Sequence, residues 1–124
     1  MKITSTPNAP AAIGPYSQAI AVNGFLFASG QSPLDPATGE IVGTTIEEQA
    51  ERCCQNVKGI LEANGLTFTD VVKTTCFLAE MSDFAAFNAV YAKYFVGKPA
   101  RSCVAVKEVP KGVLCEIEVT AVCK

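Results

Sequence analysis

Apolar residues recur along this chain in two rhythms, a strand-like alternation near both ends and a helical period in two central stretches. Two β-prone runs, Gln18 to Val22 and Phe25 to Ser29, flank Asn23-Gly24. That dipeptide favours the left-handed conformations of a tight hairpin, so the N-terminal third is expected to be a β-meander. Pro33 to Gly39 is dense in turn residues and is expected to be a surface loop. A helix should follow, because Thr45 and Glu48 have the spacing of a capping box and Gly65 stands where a C-terminal glycine belongs. Between them Ile46, Ala50, Cys53, Val57, Ile60 and Leu61 form an apolar stripe, opposite Glu47, Glu51, Gln55, Lys58 and Glu62.

Val71 to Leu78 is rich in β-branched residues, with apolar side chains on both alternating faces, and is expected to be a central strand covered on two sides. A second helix should start near Ser82 or Asp83 as its cap and bury Phe84, Phe87, Val90, Tyr91, Tyr94 and Phe95. Arg101 to Val109 and Val113 to Cys123 again have strand character, and Pro110-Lys111-Gly112 between them suggests a closing hairpin. The predicted order is β-β-β-α-β-α-β-β. It implies an α+β layer with both helices on one face of a sheet. The other face has no cover: in the last strand it would present Glu116, Glu118 and Thr120 beside Leu114 and Val122. A face mixing apolar and acidic groups suits contact with a second copy, so we expect a homo-oligomer with clefts between subunits.

The length of 124 residues suits one domain, residues 1–124, with no linker or repeat. A formal net charge of −2 offers no basic stripe, so nucleic acid is not an expected partner. No apolar run reaches membrane-spanning length and Met1 to Pro7 lacks a secretory apolar region, which predicts a cytoplasmic protein without a membrane partner. The six cysteines are then expected to be free thiols acting as small apolar fillers, with no spacing suited to a metal.

Chemistry is narrowed by the lack of any histidine. The usual general base near neutral pH and the usual metal ligand are both missing, leaving carboxylates, thiols, hydroxyls, backbone groups and fixed charges. Two arginines are present. Arg52 follows Glu48 at i,i+4 and is expected to form a surface ion pair. Arg101 stands at the mouth of an apolar strand, where its planar guanidinium could hold a carboxylate through two parallel hydrogen bonds.

Several strings occur together and in order: Gly14-Pro15-Tyr16-Ser17-Gln18-Ala19, Ser29-Gly30-Gln31, Asn56-Val57, Lys73-Thr74-Thr75, Phe84 with Asn88 and Tyr91, Pro99-Ala100-Arg101-Ser102-Cys103 and Glu116-Ile117-Glu118. From about residue 7 to the C-terminus the chain closely resembles the RidA family, also called YjgF/YER057c/UK114. The resemblance implies a chorismate-mutase-like fold, a homotrimer with a central barrel, and active sites in the grooves between subunits. It also implies a cofactor-free, metal-free deaminase that hydrolyses enamine/imine intermediates such as 2-aminoacrylate to 2-oxo acids and ammonia. By position, the family's carboxylate-binding arginine falls on Arg101 and the acid that handles water on Glu116. Its other pocket residues fall on Tyr16, Ser29, Gly30, Asn88 and Cys103. Lys98 replaces the aromatic residue that some members carry before the proline, which bears on the rim of the pocket.

Each of these residues also has a plain structural role open to it. Arg101 and Glu116 could pair with each other across a hairpin, Tyr16 could plug a sheet end, and Ser29-Gly30 could be turn chemistry. Asn88 could bond locally and Cys103 could be filler. A non-catalytic module that binds small carboxylates or another protein is the alternative function, because fold alone does not select an activity.

Overall fold

The structure is a computed structural model that describes residues 1–124. Its strands are β1 (Lys2–Thr4), β2 (Ala19–Val22), β3 (Phe25–Ala28), β4 (Val71–Leu78), β5 (Ala100–Ala105) and β6 (Cys115–Val122), and its helices are α1 (Ile46–Ala63) and α2 (Phe84–Tyr94). The order along the chain is the predicted one, and the six strands form a single sheet ordered β1-β2-β3-β6-β4-β5. Only β4 and β5 run parallel, as the connection through α2 requires. Both helices pack on one face, giving the α+β layer expected.

The β2–β3 hairpin turns on Asn23 and Gly24, with φ of 52° and 81°. Helix α1 begins with the complete capping box: Thr45 Oγ1 accepts from the Glu48 amide, and Glu48 accepts from the Thr45 amide. It ends in a Schellman turn, where Gly65, at φ 70°, donates to Glu62 and Leu66 donates to Leu61. The predicted stripe is buried against Leu26, Ile117 and Val119 of the sheet. The Tyr94 hydroxyl donates to Glu51 and accepts from Gln55 Nε2, tying α2 to the outer side of α1.

Five expectations need correction. Pro110 to Gly112 is no hairpin: β6 has β3 on one edge and β4 on the other, so neither edge is free for β5. The strand begun at Arg101 stops at Ala105, and buried Val109 and Val113 anchor the link as it crosses to β6. Strand β4 is covered on one face only, leaving Val72 and Lys73 exposed beside a bulge. Arg52 does not pair with Glu48, whose carboxylate is engaged in the cap; both Arg52 Nε and Nη2 donate to Asn56 Oδ1. Asp83 precedes α2 without a side-chain cap, since a turn of 3-10 helix, Met81–Asp83, already leads the backbone into the helix.

Candidate functional site

Arg101 pairs with Thr74 across the β4–β5 ladder and shares the helix-covered face of the sheet. There its Nη1 donates to Asn88 Oδ1 at 2.7 Å. The guanidinium carbon lies 4.7 Å from the centroid of Tyr91 and 5.5 Å from that of Phe84. Tyr91 is itself fixed by a 2.7 Å hydroxyl contact to buried Thr74 and by stacking on Phe95. Burial raises the Tyr91 pKa despite that bond, so its hydroxyl stays neutral. A cleft of about 490 Å³ opens beside Arg101, lined also by Asn88, Lys98 and Pro99, and no acidic residue lines it. The charge is therefore held by an amide oxygen and two aromatic faces, with its other donors uncommitted.

Cys103 follows two residues later on the same face, opposite Cys76 on β4. Burial raises its pKa against the pull of Arg101, and burial raises that of Cys76 to about 12. Both are thiols rather than thiolates at neutral pH, so neither is an activated nucleophile. Cys53, Cys54 and Cys115 are buried, and all six cysteines are free.

Glu116 lies on the other face, because β6 alternates and Glu116 pairs with Phe77 while Ile117 pairs with Cys76. Ser32 Oγ donates to Glu116 Oε1 at 2.9 Å. A Cβ on Gly30 would come within 2.3 Å of Glu116 Oε2, so the carboxylate occupies space that only glycine leaves free. Ser29 Oγ donates to Ser17 O at 2.7 Å, and Gln31 bridges to Ile117, which together hold the segment after β3 alongside β6. A cavity of about 680 Å³ is lined by Tyr16, Ser29, Gly30, Ser32 and Glu116 among others. Tyr16 is exposed at its mouth. The Gln18 amide holds the neighbouring arm by donating to the carbonyls of Thr6, Ala9 and Pro10.

The predicted residues thus form two groups in one chain. Arg101, Asn88 and Cys103 share the helix side of β5 and α2, whereas Tyr16, Ser29, Gly30 and Glu116 surround the second cavity. Strand β4 stands between β5 and β6, and Arg101 and Glu116 project from opposite faces, so they are not a structural pair across a hairpin. Sequence reasoning missed Ser32 as the partner of Glu116 and Thr74 as the support of Tyr91. Adjacency to Gly30-Gln31 was the only local hint of the first; the second depends on a contact between β4 and α2.

Residues 6–123 match the family described as Endoribonuclease L-PSP. A RutC family protein of Pyrococcus horikoshii is 52% identical over 121 residues, covering 97% of this chain and 96% of its own. Among solved structures, that of Escherichia coli TdcF with bound serine is 43% identical, covers all of both chains and superposes with a TM-score of 0.94. The Escherichia coli YjgF gene product gives the same TM-score at 44% identity, again over the whole of both chains. With identity, coverage and superposition at this level, the chain belongs to the RidA (YjgF/YER057c/UK114) family, also described as Endoribonuclease L-PSP.

Proposed function

We propose that this protein is a 2-iminobutanoate/2-iminopropanoate deaminase that hydrolyses reactive enamine/imine intermediates, such as 2-aminoacrylate, to 2-oxo acids and ammonia. The observation that carries the reading is the uncompensated guanidinium of Arg101, which faces an acid-free cleft and joins none of the ion pairs in the chain. Such a group suits the carboxylate of a 2-imino acid, and the bound serine of TdcF supports a small amino-acid-like ligand in this fold. Because Arg101 and Glu116 lie on opposite faces, the site is assigned to a groove between two copies of a homotrimer with a central barrel. Arg101, Asn88 and Cys103 come from one subunit; Glu116, Gly30, Ser29 and Tyr16 come from the next. A cytoplasmic location fits a reaction on short-lived metabolic intermediates, and no helix is long and apolar enough to cross a membrane.

In this mechanism Arg101 orients the substrate carboxylate and places the adjacent C=N carbon near Glu116. Glu116 takes a proton from water as the oxygen adds to that carbon, giving a carbinolamine. The proton passes to nitrogen, the C–N bond breaks, and an iminium plus water becomes a 2-oxo acid plus ammonium. The iminium is already activated toward addition, so the reaction needs no covalent nucleophile, in keeping with the protonated Cys103.

The test generates 2-aminoacrylate with a serine or threonine dehydratase and follows its capture by semicarbazide; added protein should suppress capture and accelerate 2-oxo acid formation. Unchanged capture would overturn the reading. A carboxylate-binding module is the rival, disfavoured because anion binding gains nothing from an adjacent glutamate. It would prevail if E116Q bound 2-oxo acids while the wild-type protein gave no turnover.

A further inference from the structure

Glu116 receives one side-chain hydrogen bond, from Ser32, and joins no ion pair. A glutamate on a solvent-facing strand position otherwise samples many rotamers, at an entropic cost to any step that needs one of them. Here the carboxylate is bracketed: Ser32 holds Oε1, and the backbone of Gly30 lies under Oε2. Oε2 is left as the oxygen available to water.

Ser32 is itself held from α1. Asn56, fully buried, donates through Nδ2 to the carbonyls of Ser32 and Leu34, each at 2.9 Å. Its Oδ1 accepts from Arg52 Nε at 3.1 Å and Nη2 at 2.8 Å. Arginine can only donate and the two carbonyls can only accept, so the amide has one orientation and its bonding capacity is filled. Arg52 therefore clamps the loop through Asn56.

We infer that Ser32 is a positioning residue for the reaction, holding Glu116 in its water-activating rotamer, and that the Arg52–Asn56 pair sets the position of Ser32. This rests on the deaminase reading of Glu116. The relay acts on water and not on the substrate carboxylate, so its loss should appear in kcat.

The experiment measures steady-state kinetics of S32A, S32C, S32T and R52Q in the dehydratase-coupled assay, with thermal unfolding alongside. A charge-assisted hydrogen bond supports a loss of about tenfold in kcat for S32A, with KM and melting temperature close to wild type. S32C keeps the shape but donates weakly and should lose most of this activity; S32T restores a hydroxyl and should retain it. R52Q should show a smaller loss in the same direction. Wild-type kcat in S32A or S32C, impairment of S32T equal to that of S32A, or a loss confined to KM would overturn the assignment. An active wild type with an equally active S32A removes only the role of Ser32, whereas no wild-type turnover removes the deaminase reading and this inference with it.

Discussion

Arg101 owes its setting to tertiary contacts more than to its neighbours in sequence. The strand presents it, but Asn88, Tyr91 and Phe84 of α2 orient the guanidinium and leave it without an acid. Replacing it by alanine should lower kcat/KM by roughly 10- to 100-fold if charge-assisted bonds to the substrate are lost, with the fold intact. R101K should recover little of this, since an ammonium can neither stack on Tyr91 in the same way nor form a two-pronged contact. Gly30 makes a complementary prediction. The atoms nearest an added Cβ all belong to the Glu116 side chain, from Cγ to Oε2, and not to backbone, so G30A should leave thermal unfolding nearly unchanged while turnover falls as the carboxylate rotates away. Unchanged turnover in G30A would show that the observed Glu116 placement is not needed.

Helix α1 shows how local chemistry and packing can pull in opposite directions. Exchanging a mid-helix glycine for alanine normally stabilises by roughly 0.5–1 kcal/mol. At Gly59 a Cβ would lie 2.1 Å from the carbonyl oxygen of Asn8, a backbone atom that cannot swing aside. Overpacking of this kind costs about 1–3 kcal/mol, so G59A should be destabilising on balance in a urea titration. At the start of the helix, hydrogen bonds from the Thr44 and Thr45 amides hold the Glu48 carboxyl below its ordinary value of 4.5. A lowered folded-state pKa means that this contribution is complete above pH 4.5 and is lost as pH falls through the lower folded value. E48Q should therefore be less stable than wild type at neutral pH, and the gap should narrow below pH 4.5. A constant gap across that range would show that the charge is not what the cap uses.

The open face of the sheet exposes Phe25, Phe27, Val72, Val104 and Val122, an apolar area that the chain alone leaves in water. Its burial between copies fits the proposed trimer. That assembly would bring together the Arg101 and Glu116 half-sites, which one chain keeps apart. Complementation tests this directly. R101A and E116Q should each be strongly impaired alone, and co-refolding them in equal amounts should raise activity to roughly a quarter of wild type, since three-quarters of randomly mixed trimers would carry one intact site of three. No recovery, despite mass spectrometry showing mixed trimers, would place both groups in the same subunit's site.

What the sequence determined by itself was everything governed by neighbours along the chain: the element order, the Asn23-Gly24 turn, the Thr45–Glu48 cap, the Gly65 terminus and the alternation that separates Glu116 from Ile117. These depend on backbone conformations and side-chain spacings that a few residues set. Its family motifs also placed the chain correctly. Tertiary structure alone decided which strand edges meet, and so the apparent β5–β6 hairpin became a connection across the end of β4. It also turned Arg52 from a partner of Glu48 into the anchor of Asn56, and made Ser32 the support of Glu116. Edge pairing and long-range hydrogen bonds are choices among distant groups of similar chemistry. Only the packed sheet and helices bring one candidate within bonding distance and carry the others out of reach.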